Sequence, residues 1–562
     1  MRSHYILLMA AMLSALYINS QNLVWARTMG GTNYTEGRAI AVDASGNVYV
    51  ASSFNGTTDF DPGAGTFDVM CGVGFDMDAT LTKLDAAGHF VWAKTITGSY
   101  TQHIFDVKLD DIGNIYLTGT LRDSCDLDPG PGVHQAISNG AQDVFIVKLD
   151  NDGNFIWGES YGSPAPELPR QVLVDASGNV IVTGSFYHTC DFDPSTDGTF
   201  EMSTDIWSGY VLKLDADGAF MWAKSFDSLS PSVSSVYSAA LDAAGNIIIT
   251  GTFTHQPDFD PGSAVFPIPE TFQQNIFVDK LDNDGNFLWV QWFSSAGPVD
   301  PLSVAVDASA DIYITGYFHD DIDLDSGPGE NTLIGNFTDE AFLIKINADG
   351  TLQWGKKFGG PGSDKAWDVC TGNDGAVFVT GTFEATADFD PGTGNVNRTS
   401  TGMADVFITR FDAEGDIVWA RSVGGQEEDG ADAIVADEDN NAYTTGFFKL
   451  TADLDPSVGG LPVAASGEQD AFVLKLDNGI TGIEETQNNA FSIYPIPAYD
   501  VINISYNPFI GQRPYSIMDA AGRIIARGKI TGNTNTVDVK SLAPGLYFLQ
   551  IDGEGCEKVL KR

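Results

Sequence analysis

The sequence predicts an all-β chain: a seven-bladed β-propeller whose N-terminal strand closes the last blade, followed by a small C-terminal β-sandwich. Three observations predict it. A tryptophan recurs at Trp25, Trp92, Trp157, Trp222, Trp289, Trp354 and Trp419, at spacings of 67, 65, 65, 67, 65 and 65 residues. An Asp-x-Asp, usually followed by Pro, begins at Asp59, Asp126, Asp191, Asp258, Asp323, Asp388 and Asp453, which gives the same seven units. Each unit holds four short β-rich runs separated by Asp, Asn and Gly turns, the content of one antiparallel blade.

Taken in order, Arg2 and the apolar run 5–18 read as a secretory signal, assigned to residues 1–20. The run is shorter than the roughly 20 apolar residues that span a bilayer, so no transmembrane anchor is expected. The propeller is assigned to residues 22–477, a linker to 478–490 and a second domain to 491–562. In the first unit, alternation over 39–42 leads through a DASGN turn into 48–54 and then a long polar loop carrying DFDPG. Two further runs complete a unit, as in DVFIVKLD and NFIWG at 143–158. The first tryptophan strand, residues 23–26, precedes any complete unit, and none follows DAFVLKLD at 470–477. The N-terminal strand is therefore expected to complete the last blade and leave no sheet edge open. Strand direction then puts the DASGN and KLDxxG turns on one face of the disc. The DFDPG and inter-blade loops fall on the other, where binding residues are expected because long loops on a rigid scaffold carry them.

Charge narrows the partners. With 29 Lys and Arg against 76 Asp and Glu, the net charge is −47, which opposes a nucleic-acid backbone. Residues 484–562 contain eight acidic and eight basic side chains, so the whole excess lies before them. The five cysteines, Cys71, Cys125, Cys190, Cys370 and Cys556, are odd in number and expected to be free thiols, and no C-x-x-C supports a zinc site.

The GN-[VI]-Y-[VI]-TG strand, DFDPG loop and KLDxxGxxxWA hairpin resemble bacterial β-propeller repeats of Bacteroidota surface proteins over residues 22–477, departing at Ser326 and Asn347. From Phe491, FSIYPIPAYDVINISY, YSIMDAAGRIIARG and TVDVKSLAPGLYFLQI, with a Lys561-Arg562 ending, resemble the type A C-terminal sorting domain of the type IX secretion system. That family usually has Asn where Ile496 stands between Pro495 and Pro497. The resemblance implies the type IX machinery as a partner of residues 491–562, a secreted or cell-surface location, and removal of this domain at the surface.

For chemistry, the Asp-x-Asp loops are the first candidates. Asp59, Asp61, Asp126, Asp128, Asp191, Asp193, Asp258, Asp260, Asp323, Asp325, Asp388, Asp390, Asp453 and Asp455 put fourteen carboxylates on one face. Asp78, Asp143, Asn275, Glu340, Asp405 and Asp470 stand just before the third run of their units, with Ser208 in the third. Calcium takes six to eight oxygen ligands, and these are the candidate ligands. The alternative is that Asp, Pro and Gly simply build a turn, which the lack of DxDxDG spacing favours. Phe54, Phe186, Phe253, Phe318, Phe383 and Phe448 repeat with the units and are expected in the core, while Trp207, Trp292 and Trp367 break the repeat and are the tryptophans to test for a ligand. The seven histidines share no spacing, and neither G-x-S-x-G nor HExxH occurs. Two functions remain: a non-catalytic exported binding or scaffold protein facing a glycan or protein ligand, or a polysaccharide-directed surface hydrolase or lyase with one site at the channel mouth.

Overall fold

The computed structural model describes residues 23–71, 76–195, 197–226, 234–262, 264–266, 268, 271–325, 331–457, 460–478, 491–494, 500–506, 512–519, 523–532, 534–543, 545–551 and 555–561. The expected signal and most of the linker lie outside them. The described chain is β-strand and turn without a helix, and it divides into two units, residues 21–478 and the remainder.

The larger unit contains seven antiparallel sheets with a four-stranded core, in six of them paired in chain order, and a separate two-stranded sheet. In the second, Gln102–Leu109, Ile115–Leu121, Asp143–Leu149 and Phe155–Tyr161 form that core. The second and third strands of a sheet are buried almost throughout, as in Val48–Phe54 and Asp78–Leu84, because they are covered on both faces by neighbouring sheets. The repeating Phe54, Phe186, Phe253, Phe318, Phe383 and Phe448 are all at most 1 % exposed, as core residues should be. First strands of consecutive sheets pack side by side, and that of the seventh, Gly430–Ala436, packs on that of the first, Thr35–Val42. Leu23–Gly31 pairs with Asp470–Leu476, so the N-terminal strand supplies the fourth position of the last sheet.

The recurring tryptophan has a specific task. Trp25, Trp157, Trp289 and Trp354 donate their indole N–H to the carbonyls of Ala86, Ala216, Ala348 and Ala413, each in the hairpin turn of the next sheet, at 3.1–3.3 Å. The KLD lysine of the same sheet reaches the same carbonyl from Lys148, Lys280 and Lys345. The turn glycine, such as Gly88 at φ +75°, presses its backbone on the indole so closely that a Cβ would lie 2.9 Å from Trp25. Tryptophan, lysine and glycine thus form one latch between neighbouring sheets.

The DFDPG segments are not open loops. Thr57–Asp59 and Asp68–Met70 form a short hairpin, and Asp59 pairs with Gly30 at the end of the preceding sheet's outer strand. The same contact joins Asp126 to Thr97, Asp191 to Gly162, Asp323 to Ser294, Asp388 to Gly359 and Asp453 to Gly424. The segments expected as long loops are thus pinned at their ends by strand pairing. They are clasps, because a hairpin satisfies backbone groups that an open loop would leave to water.

The C-terminal unit has a three-stranded sheet (Phe491–Tyr494, Val501–Tyr506, Thr534–Asp538) and a four-stranded one (Arg513–Asp519, Ile524–Ile530, Gly545–Ile551, Gly555–Lys561). Ile502, Ile504, Ile517, Ile530, Leu549 and Ile551 share one buried core.

Candidate functional site

The Asp-x-Asp carboxylates spend themselves locally. Oδ1 of the first Asp accepts two backbone amides: Asp59 from Asp61 and Phe67, Asp126 from Asp128 and His134, Asp191 from Asp193 and Phe200. Asp258, Asp323, Asp388 and Asp453 repeat this with residues 260 and 266, 325 and 331, 390 and 396, and 455 and 461. Oδ1 of the second Asp takes the amide two residues on, from Asp61, Asp128, Asp193, Asp260, Asp390 and Asp455. Among the described residues, no three His, Cys, Asp or Glu side chains are grouped to hold a metal ion.

The equivalent polar residue of the third strand is buried in every sheet: Asp78, Asp143, Ser208, Asn275, Glu340, Asp405 and Asp470 are all at most 4 % exposed. Burial pushes Asp143 and Asp405 up to about 6. Burial also raises Glu167, Asp364 and Asp429 to about 7, and they feel the charges of Asp143, Glu340 and Asp405 respectively. Their oxygens cap backbone: Asp364 accepts the Gly360 amide and Asp429 those of Gly425 and Lys449. Cys71, Cys125, Cys190 and Cys370 are free thiols, and burial raises Cys125 to about 12.

The chemically varied site lies elsewhere, in a cavity of about 650 Å³ lined by the first strands of all seven sheets. Each of these strands carries a β-bulge near its start. The register skips Arg38, Phe105, Arg170, Tyr237, the pair Pro301 and Leu302, Trp367 and Asp432. Arg38, Phe105, Arg170, Tyr237, Leu302, Trp367 and Asp432 all line the cavity. A bulge frees one residue from the pleat and re-aims its side chain, so the repeat builds one equivalent position in each sheet and fills it with unlike residues.

One residue deeper, side chains tie consecutive sheets together. Asp106 accepts the Val172 amide (3.2 Å), Gln171 accepts the Ser238 hydroxyl (3.0 Å), and Ser238 accepts the Val304 amide (3.0 Å). Ser303 accepts the Val369 amide (3.3 Å) and donates to Asp368 (2.6 Å), which accepts the Ile434 amide (2.8 Å). Ala39 and Ala433 stand at this position in the first and seventh sheets, and there Arg38 bridges instead, to Glu36 at 3.0 Å and Asp432 at 3.9 Å. Burial and the Glu36 carboxyl hold Asp432 well above the usual carboxylate range. Burial lifts Asp368 to about 6 and, helped by Arg38, lowers His103. Lys108 pairs with Asp106 at 3.5 Å.

Of the three irregular tryptophans, Trp367 enters this cavity, 37 % exposed, with its indole N–H on the Thr382 hydroxyl. Trp207 stacks on Tyr187, and Trp292 packs against the core of the fourth sheet. The other bulge residues escaped the sequence reading. Their signal was available: positions 38, 105, 170, 237, 302, 367 and 432 follow the 67 or 65 spacing, yet only arginine occurs there more than once.

With this geometry in place, comparison with known proteins is informative. Residues 492–562 match the secretion system C-terminal sorting domain, and residues 24–61 match a β-propeller repeat. An uncharacterized WD repeat-containing protein of Acanthamoeba polyphaga mimivirus is 23 % identical over 72 % of this chain and 35 % of its own length. The regulatory protein FlaEY of Caulobacter vibrioides is 30 % identical over 23 % of this chain and 13 % of its own. The chain therefore spans about a third or less of these relatives. Among solved structures, a Dyadobacter fermentans protein of unknown function aligns over 81 % of this chain and 99 % of its own (TM-score 0.37, 10 % identity). PorZ, a surface component of the type IX secretion system of Porphyromonas gingivalis, aligns over 95 % and 100 % (TM-score 0.26, 10 % identity). No described helix is long and apolar enough to cross a membrane. The chain carries a β-propeller repeat and a type IX secretion C-terminal sorting domain, and the sorting domain marks it as secreted or displayed at the cell surface.

Proposed function

We propose that this chain is a non-catalytic binding protein, a closed seven-bladed propeller that holds a glycan at the mouth of its central channel. One observation carries the reading: seven equivalent bulges converge on one cavity and line it with side chains of differing chemistry. Closure is supported by the pairing of Leu23–Gly31 with Asp470–Leu476 and by the latch from Trp25 to the first unit's turn. Phe105, Tyr237 and Trp367 offer ring faces suited to sugars, and the sorting domain delivers the mouth to the outside of the cell.

The hydrolase alternative has one feature in its favour, the Glu36 and Asp432 carboxyls beside Arg38. Both carboxyls are engaged by Arg38, Glu36 at 3.0 Å and Asp432 at 3.9 Å, whereas a retaining glycosidase needs one carboxyl free to attack and the other free to donate a proton. The arrangement favours holding over cleaving. A glycan array probed with the full-length protein and with Trp367→Ala tests the proposal. Discrete hits lost in the variant are expected; a blank array, or hits that the variant keeps, would overturn it.

A further inference from the structure

The charges lining the cavity do not balance pair by pair. Arg38 is committed to Glu36 and Asp432, and Lys108 to Asp106. Asp368 is occupied by Ser303 and the Ile434 amide. Arg170, the remaining cation, has no ion pair among the described residues, and its buried Nε finds no hydrogen-bond partner. A guanidinium that lines the cavity without an ion pair keeps its terminal N–H groups for an acceptor that comes from outside.

The guanidinium is already aimed. It lies 5.2 Å over the Tyr237 ring, a cation–π contact that fixes its plane. Tyr237 is itself anchored, its hydroxyl donating to Asp300 at 2.8 Å. Asp300 also accepts from Tyr317 and Gln274, so its charge is spent behind the ring. Three sheets further round, Trp367 presents a half-exposed indole whose N–H is already satisfied by Thr382, leaving its face open.

We propose that the cavity takes the carboxylate of an acidic sugar, with Arg170 as its bidentate partner and Trp367 as the surface on which the sugar ring stacks. The inference rests on the channel-mouth reading above and specifies its ligand. Arg presents a planar fork that matches a carboxylate with two parallel hydrogen bonds. The volume of about 650 Å³ lies within the range of roughly 300–1,000 Å³ typical of small-ligand sites. The net charge of −47 repels long polyanions, so the fitting ligand is a single acidic unit, not an acidic polymer.

Calorimetric titration of the full-length protein with glucuronate, galacturonate, glucose, galactose and N-acetylglycine tests this. The uronates are expected to bind at least ten-fold tighter than their neutral counterparts. Arg170→Gln should erase the difference, and Arg170→Lys, which keeps charge and bulk, should keep part of it. Neutral sugars binding as tightly as uronates, or an Arg170→Gln protein with unchanged preference, would overturn the proposal. N-acetylglycine binding as well as the uronates would overturn its sugar half. If Trp367→Ala still abolishes array binding while acid preference is absent, the carboxylate proposal alone fails. If neither array nor titration detects a sugar, both readings fail.

Discussion

Ala310 occupies the turn position that is glycine in Gly46, Gly113, Gly178, Gly245 and Gly375, and it holds a φ of +63° there. A left-handed conformation costs an L-residue roughly 1–2 kcal/mol, part of which glycine returns as unfolded-chain entropy. Ala310→Gly should therefore stabilise the propeller by about 1 kcal/mol, read as a raised urea midpoint. At Asp388, two amides depend on one oxygen. Asp388→Ala should cost about 1.5–3 kcal/mol, whereas Asp388→Asn keeps the acceptor and should cost much less. If the Asp-x-Asp carboxylates bound calcium, a calcium chelator would lower the melting temperature. The turn geometry predicts no such change.

At the scale of the strand and hairpin, glycine pairs at three outer-strand ends, Gly30-Gly31, Gly359-Gly360 and Gly424-Gly425, mark where neighbouring sheets are clasped. A Cβ on Gly31 would sit 1.9 Å from the Thr57 carbonyl oxygen, so Gly31→Ala should cost about 1–3 kcal/mol by overpacking, with hydrogen exchange rising first in Thr57–Asp59 and Asp68–Met70. The four strands of each sheet, the Phe core and the strand that completes the last sheet were legible because period, turn chemistry and register repeat seven times. The clasp was not, because a strand of three residues such as Thr57–Asp59 is too short to show alternation. Nor was the cavity, apart from Trp367. A bulge is one residue of register slip, and only the pairing reveals that Arg38 and Asp432 occupy equivalent places.

For the whole molecule, the buried carboxyls set the response to pH. Glu167, Asp364 and Asp429 titrate near 7, and Asp143 and Asp405 near 6, all raised by burial. The folded state thus holds protons that the unfolded chain releases near its ordinary carboxylate range of about 4. Their stabilising effect is complete below that range and is lost as pH rises through 6 and 7, on the order of a few kcal/mol in sum. Relief of the repulsion within a chain of net charge −47 acts in the same direction. The melting temperature should be higher at pH 5 than at pH 8, and the reverse order would show that these groups are ionised without penalty in the fold. The central claim, that the bulges form the binding mouth, is tested most directly by hydrogen exchange on the full-length protein, free and saturated with the strongest glycan found on the array. Protection confined to the first strands around residues 38, 105, 170, 237, 302, 367 and 432 is the predicted result; protection on the Asp-x-Asp hairpins instead, with those strands unchanged, would contradict it.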